Sequence, residues 1–201
     1  MTGQAALEGR YDYIIVGAGT AGCVLANRLT EDPSTRVLLL EAGGSDNYHW
    51  VHIPVGYLYC IGNPRTDWMM KTASEPGLNG RSLVYPRGKL LGGSSSINGM
   101  VFVRGQAHDY DSWAQLGNRG WSYRDVLPIF KDMESFDGDA DDEFRGREGP
   151  LKVSANSEAG PLYDALIEAA GQIGIGYTND YNGAKQDGIG MTQATIRNGR
   201  R

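Results

Sequence analysis

The chain has 201 residues, 40% of them hydrophobic and 21% charged, with a net charge of −5. That length suits one domain and part of another, and the composition calls for a packed core rather than disorder. A negative balance without a basic stripe argues against a nucleic-acid partner, and apolar runs such as Val37–Leu40 are far too short to span a membrane. The N-terminal residues lack the basic start and apolar stretch of a secretory signal, and two cysteines, Cys23 and Cys60, make no disulfide framework. A cytoplasmic setting is therefore expected, with membrane association of a full-length protein left open. Cys23 is expected to be a small packed residue of the first helix.

In chain order, the strand-formers Tyr13–Val16 lead into Gly17-Ala18-Gly19-Thr20-Ala21-Gly22 and a helical stretch, Cys23–Leu29. Asp32-Pro33-Ser34 turns the chain into a second apolar strand, Val37–Leu40, which ends at Glu41. Strand, glycine turn, helix, strand and acid arrive in the order of the βαβ dinucleotide fingerprint. Gly17 permits the tight turn, Gly19 lets a pyrophosphate approach the backbone, and Gly22 allows close helix packing. The helix N-terminus offers N–H groups and a positive dipole end to phosphates. Glu41, about 20 residues past the last glycine, suits ribose hydroxyls and disfavours the 2′-phosphate of NADP.

Residues 43–86 read as a long irregular loop carrying Tyr48, Trp50, Tyr57, Tyr59 and Trp68, and such loops are usually functional. Asn79-Gly80 signals a hairpin, with Arg81–Tyr85 as the strand after it. A second glycine- and serine-rich segment runs from Arg87 to Met100. Gly92 and Gly93 let the backbone pass close to a bulky group, and Ser94, Ser95, Ser96 and Asn98 offer uncharged hydrogen-bonding groups. Such a segment suits a flavin nucleotide, although a plain polar loop has the same composition.

Beyond it, helices are expected at Asp109–Leu116 and, capped by Ser122, at Tyr123–Glu134. Phe136–Gly149 reads as a solvated acidic loop whose spacing fits no calcium-binding pattern. Leu151–Val153 reads as a strand, Pro161–Gly171 as a helix and Met191–Arg197 as another strand. Asn198-Gly199 is a hairpin signal with only Arg200 and Arg201 after it. A nucleotide-binding half also needs a third parallel strand. The chain is therefore read as an incomplete N-terminal piece of a longer protein. No zinc-type Cys/His spacing occurs, so no metal site is expected.

Both motifs resemble those of the glucose–methanol–choline (GMC) oxidoreductases, FAD-dependent enzymes. The resemblance runs from the fingerprint and Glu41-Ala42-Gly43 through Pro86–Asn98, and on to Phe102, Arg104-Gly105, Asp109-Tyr110-Asp111 and Trp113. Its wording is most similar to the choline-dehydrogenase-like, aliphatic-alcohol branch. It implies an α/β chain: a Rossmann-like FAD-binding domain over 1–150, with loop 45–85 covering the cofactor, and the start of an α+β substrate domain over 151–201. It also implies that Gly17, Gly19, Thr20 and Ala21, with Gly22 behind them, meet the FAD pyrophosphate, and that Glu41 and Ala42 meet the adenosine ribose. By the same resemblance Gly93, Ser94, Asn98, Gly99, Met100 and Val101 lie along the flavin, and Trp68 and Arg87 line the cleft. Some relatives attach FAD through a histidine where this chain has Ile97, so non-covalent FAD is implied.

The implied reaction oxidises the CH–OH group of a small alcohol by hydride transfer to the flavin. The electron acceptor, whether quinone, dye or oxygen, and a homo-oligomeric state of the full-length protein stay open. The family's catalytic histidine lies in a C-terminal region that this sequence does not include. His49, His52 and His108 match no such position, and no catalytic residue is assigned. The alternatives are a non-catalytic FAD-binding piece, one part of a split enzyme, or an FAD-containing hydroxynitrile lyase.

Overall fold

The computed structural model describes residues 9–155 and 160–201. Contacts divide the chain into two compact units, residues 1–99 with Arg201 and residues 100–200. This division differs from the functional partition expected at residue 150, because a single sheet draws on residues from both sides of that position.

In the first unit, β1 (Tyr13–Val16), α1 (Thr20–Leu29) and β2 (Val37–Leu40) form the expected βαβ unit. β1 and β2 pair in parallel, Tyr13 opposite Val37 through Val16 opposite Leu40. Among the described residues no third strand joins them. α1 begins at Thr20 rather than Cys23, so the fingerprint's last residues form its first turn. A Cβ on Gly22 would stand 1.9 Å from the Gly17 carbonyl oxygen, with the Ile15 side chain next at 3.3 Å. The third glycine thus lets the helix close on its own turn as well as on the strand.

Cys23 departs from expectation. It is exposed, and its thiol donates to the Ala18 carbonyl at 3.3 Å. It follows Gly22, the one buried residue of α1.

The long loop contains single-turn helices α2 (His49–His52) and α3 (Tyr57–Cys60). They close over a small core of Val51, Cys60, Leu90 and Ile97, against which Tyr48, Trp50 and Ile61 pack. Asn79 and Gly80 adopt the left-handed conformation expected of their turn. The strand expected after them is reduced to isolated bridges, Glu75 with Arg81 and Lys71 with Val84. Leu83, Val84 and Tyr85 are all exposed, so no buried face enforces a continuous ladder.

The second unit carries α4 (Ala107–Gln115), α5 (Tyr123–Met133), β3 (Glu134–Asp137), β4 (Leu151–Ala155), α6 (Pro161–Gln172) and β5 (Gln193–Ala194). Ser122 caps α5 as expected, its backbone N–H donating to Asp125 at 3.2 Å. β3 was not expected from the sequence. It pairs in parallel with β4 through the 138–150 connection, and β4 pairs antiparallel with β5. β5 is shorter than the expected Met191–Arg197. Its far side is taken by residues 100–102, through the Phe102 N–H to Gln193 and the Thr195 N–H to Met100, each 2.9 Å.

The acidic connection is braced by cations from the chain itself. Arg147 pairs with Asp142 at 2.7 Å and donates to the carbonyls of Phe136, Gly138 and Ala140. Lys131 donates to the carbonyls of Asp142 and Glu143. Among the described residues no His, Cys, Asp and Glu cluster is arranged to hold a metal.

The centre of this unit is polar. Arg145, fully buried, donates to both carboxylate oxygens of Glu134 at 2.8 and 3.0 Å, to Asp180 at 2.7 Å and to Gln193 at 3.0 Å. Arg104 lies 2.9 Å from Glu134. Its burial lowers its pKa, and the Glu134 carboxylate acts in the opposite direction.

Candidate functional site

The two glycine-rich motifs meet backbone to backbone. Gly92 donates to the Ala18 carbonyl at 2.8 Å, and Gly19 forms a parallel bridge with Gly92. Gly93 has φ +57°, and a Cβ there would stand 2.9 Å from the Gly19 Cα. A side chain at residue 93 would be both strained and obstructed.

Beside this contact lies a cavity of about 630 Å³. Val16, Gly17 and Gly19 contribute to one wall, Leu40, Glu41 and Ala42 to a second, and Trp68, Met70, Arg87, Gly88, Gly93 and Ser94 form the rest. Eight of the expected site residues thus surround one space, although they come from four stretches of sequence. The helix end fits an anionic ligand. Gly19 caps α1 without a side-chain hydrogen bond, and the first turn carries no acidic residue. Its N–H groups and dipole therefore face an anion without internal competition. A Cβ built on Gly17 would meet nothing within 4 Å, so there is open space in front of the turn. The donors and this space fit the diphosphate of a dinucleotide.

Glu41 has a task within the fold. Its carboxylate accepts the Ala18 N–H at 2.8 Å and the Gly43 N–H at 2.7 Å, pinning the fingerprint turn to the end of β2. Each oxygen keeps a further lone pair for a ligand hydroxyl.

Trp68 and Arg87 are held by a residue that the sequence did not flag. Asp67 is buried, and its carboxylate accepts the N–H groups of Gly62, Met69 and Arg87 at 2.8–3.1 Å. Burial pushes its pKa up, but the three N–H donors together hold it below the usual carboxylate value. The Trp68 N–H donates to the Arg87 carbonyl at 2.9 Å, and the Lys89 ammonium lies 4.8 Å from the Trp68 ring centroid. The Arg87 guanidinium stacks over Tyr85 at 3.8 Å. Trp50 instead stacks on Tyr59 at 4.2 Å and packs on the local core, so the loop's aromatics divide between core and cavity wall.

Gly43 was missed as well, since a Cβ there would fall 2.1 Å from the Lys89 carbonyl carbon. Its place in Glu41-Ala42-Gly43 was the available signal, whereas nothing local marks Asp67.

Other expected residues lie elsewhere. Asn98 and Gly99 end the first unit and are absent from the cavity wall. Met100 and Val101 open the second unit, where Val101 lines a cavity of about 470 Å³ with Val103, Tyr181 and Gln186. Ile97 points into the first unit's core. Among the histidines, His52 lies 3.8 Å from Asp46, His49 packs by Tyr48 and Trp50, and His108 sits 3.5 Å from Ser112. None lines the 630 Å³ cavity.

A βαβ unit whose uncapped helix end opens on a glycine-lined, acid-flanked cavity defines a dinucleotide-binding α/β protein. Residues 11–201 match the family model described as GMC oxidoreductase, and the chain belongs to that family of FAD-dependent oxidoreductases. It is 48% identical over 195 residues to an oxygen-dependent choline dehydrogenase of Vibrio vulnificus (strain YJ016), covering 96% of this chain and 35% of that protein. It superposes on the crystal structure of pyridoxine 4-oxidase from Mesorbium loti with a TM-score of 0.89 and 35% identity, over 96% of this chain and 38% of that one. An FAD-dependent oxidoreductase from Chaetomium thermophilum matches with a TM-score of 0.83 and 33% identity, over 94% and 34% of the two chains. The chain thus spans about a third of the length of the curated relatives it matches. Among the described residues no helix is long and apolar enough to cross a membrane.

Proposed function

We propose that this chain supplies the dinucleotide-binding part of an oxidoreductase that holds FAD non-covalently and acts on the CH–OH group of an alcohol. The observation that carries the reading is the shared cavity, with both glycine motifs and Glu41 on its walls beside an uncapped helix N-terminus. In this reading the N–H groups of Thr20, Ala21 and Gly22 take the diphosphate, Gly17 and Gly19 leave it room, and Glu41 with Ala42 takes the adenosine ribose. Trp68, Arg87, Gly93 and Ser94 close the cleft, while Asn98, Gly99, Met100 and Val101 lie along the flavin. When bound, FAD supplies the hydride acceptor. Ile97 brings no nucleophile to the ring, in keeping with non-covalent attachment. The printed names of the relatives, choline dehydrogenase and pyridoxine 4-oxidase, point to a substrate bearing a hydroxyl group. Residues 1–150 would then serve the cofactor, and those from 151 onward would begin the substrate domain.

The test is gel filtration of the full chain after incubation with FAD, beside Gly19→Val. Flavin should co-elute with the wild type, be released by acid, and be lost in the variant. Flavin retained by Gly19→Val, or left attached after denaturation, overturns the corresponding part. Anaerobic bleaching by a panel of alcohols then tests the substrate class.

A further inference from the structure

The buried carboxylate of Asp67 has two edges, and they serve different parts of the chain. Oδ2 accepts the Gly62 N–H at 2.8 Å, just beyond α3. Oδ1 accepts the Met69 N–H at 3.0 Å and the Arg87 N–H at 3.1 Å. The bond to Met69 spans two residues and closes an Asx turn. The bond to Arg87 joins positions 20 residues apart.

The turn matters at Met69, whose φ is +58°. A residue with a Cβ holds that left-handed conformation only where its surroundings fix it, and here its N–H is fixed by Asp67. Trp68 and Met70, on either side, both line the 630 Å³ cavity, whereas Met69 is absent from its wall and is half exposed. One left-handed residue therefore sets the path of two wall residues. The Arg87 tie acts on the same wall. The Trp68 N–H returns to the Arg87 carbonyl at 2.9 Å, Asp67 bridges Gly88, and the Gly88 N–H reaches the Ser94 hydroxyl at 3.1 Å. Elsewhere the loop is held by a donor instead: Arg201 donates to the carbonyls of Val51, Ser95 and Asn98 at 2.8–2.9 Å, and none of these three lines the cavity.

We propose that Asp67 is a positioning residue for the cofactor: its Oδ1 edge sets the left-handed turn at Met69 and seats Arg87, so that Trp68, Met70 and Arg87 stand where FAD meets them. The proposal rests on the reading that this cavity takes FAD. A wall ordered before the ligand arrives needs no ordering on binding, which favours affinity. An amide would serve one edge only. With its oxygen kept toward Met69 and Arg87, its NH2 would set donor against donor at Gly62.

The test uses the full chain and FAD. The dissociation constant is read by flavin fluorescence at a temperature where each variant is folded. The setting of the wall is read by the visible circular dichroism of bound flavin, which a loss of stability alone does not change. Asp67→Ala should alter that spectrum and weaken FAD binding roughly tenfold, the scale of a lost hydrogen bond to a charged group. Adding Met69→Gly should recover part of the loss, because glycine takes the left-handed turn without the carboxylate. Asp67→Asn keeps the Oδ1 edge and should bind FAD nearly as the wild type does. Thr66→Val removes the hydroxyl bond to the Cys60 carbonyl, 2.8 Å long and in the same loop, and should lower stability with affinity and spectrum unchanged.

Wild-type affinity in Asp67→Ala overturns the proposal, as does an equal loss in Thr66→Val or in Asp67→Asn, or a double variant no better than Asp67→Ala. If Asp67→Ala does not fold, Asp67→Ser decides. Its hydroxyl closes the turn to Met69 but is too short for Arg87, so a smaller loss in the same direction is expected, and wild-type affinity overturns the proposal. Gly19→Val separates the two levels. If it loses FAD while Asp67→Ala and Asp67→Ser bind as wild type, only the role of Asp67 fails. If Gly19→Val binds FAD normally, the reading of the site fails.

Discussion

Around Gly22 and Gly93 in the first unit the decisive contacts run between bare backbones, whereas around Arg145 in the second they run through long charged side chains that water does not reach. The first arrangement leaves a space and unspent N–H groups, which a ligand needs. The second spends most of its donors internally: Arg145, Glu134, Asp180, Gln193 and Asn182 bond one another, with Asp180 Oδ2 left over. Binding capacity and self-sufficiency thus have different chemical signatures, and substitutions should fail differently in the two regions.

The largest effect is expected in the second unit. Arg145→Met leaves the buried Asp180 carboxylate without its cation and Glu134 with Arg104 alone, and should cost about 3–5 kcal/mol in urea unfolding. Adding Asp180→Asn should return part of that loss; if the double variant is worse than the single one, charge pairing is not what holds this centre. Next comes Gly22→Ala, whose methyl would overlap the Gly17 carbonyl and should cost about 1–3 kcal/mol by overpacking. Its separate signature is loss of flavin co-elution, which Arg145→Met should not share at temperatures where it remains folded. Ser122→Ala removes a helix cap in the second unit and should cost about 1 kcal/mol, with FAD affinity unchanged.

The smallest effect on stability is expected at Asp67, and its pH dependence falls in the acid range. The folded-state pKa is held below the ordinary 3.8, so the stabilisation is present above that value. It is lost as pH falls from there through the folded-state value. Asp67→Asn should therefore unfold with a shallower pH dependence below about pH 4 than the wild type. Equal slopes would remove Asp67 from the account of the first unit.

Much of the first unit was legible because its signals are local and ordered. Gly17 through Glu41 state a strand, a turn, a helix and an acid at fixed spacing, and a cavity formed where that pattern placed one. The Asn198-Gly199 turn was legible for the same reason, with φ of 51° and 70° at its two residues. β3 was not, because Glu134-Ser135-Phe136-Asp137 shows no apolar alternation. Its polar residues are buried only because Arg145 and Arg147 come back to meet them. Arg104, within the family-like stretch, likewise proves to be tied to Glu134. Asp67 and Arg201 escaped notice because their partners are mostly backbone groups, which leave no mark on composition.

The meeting of Gly19 and Gly93 also bears on how this protein can be recombined with its relatives. A junction formed by main chain on both sides carries no side-chain code, so a parent that keeps both glycines can donate either half. Chimaeras with a crossover just after Gly44, which takes the whole core of Val51, Cys60, Leu90 and Ile97 from one parent, should therefore reassemble the cleft without matched substitutions. Crossovers between residues 134 and 180 would split the Glu134, Arg145 and Asp180 group, and there the parents must agree on the whole set.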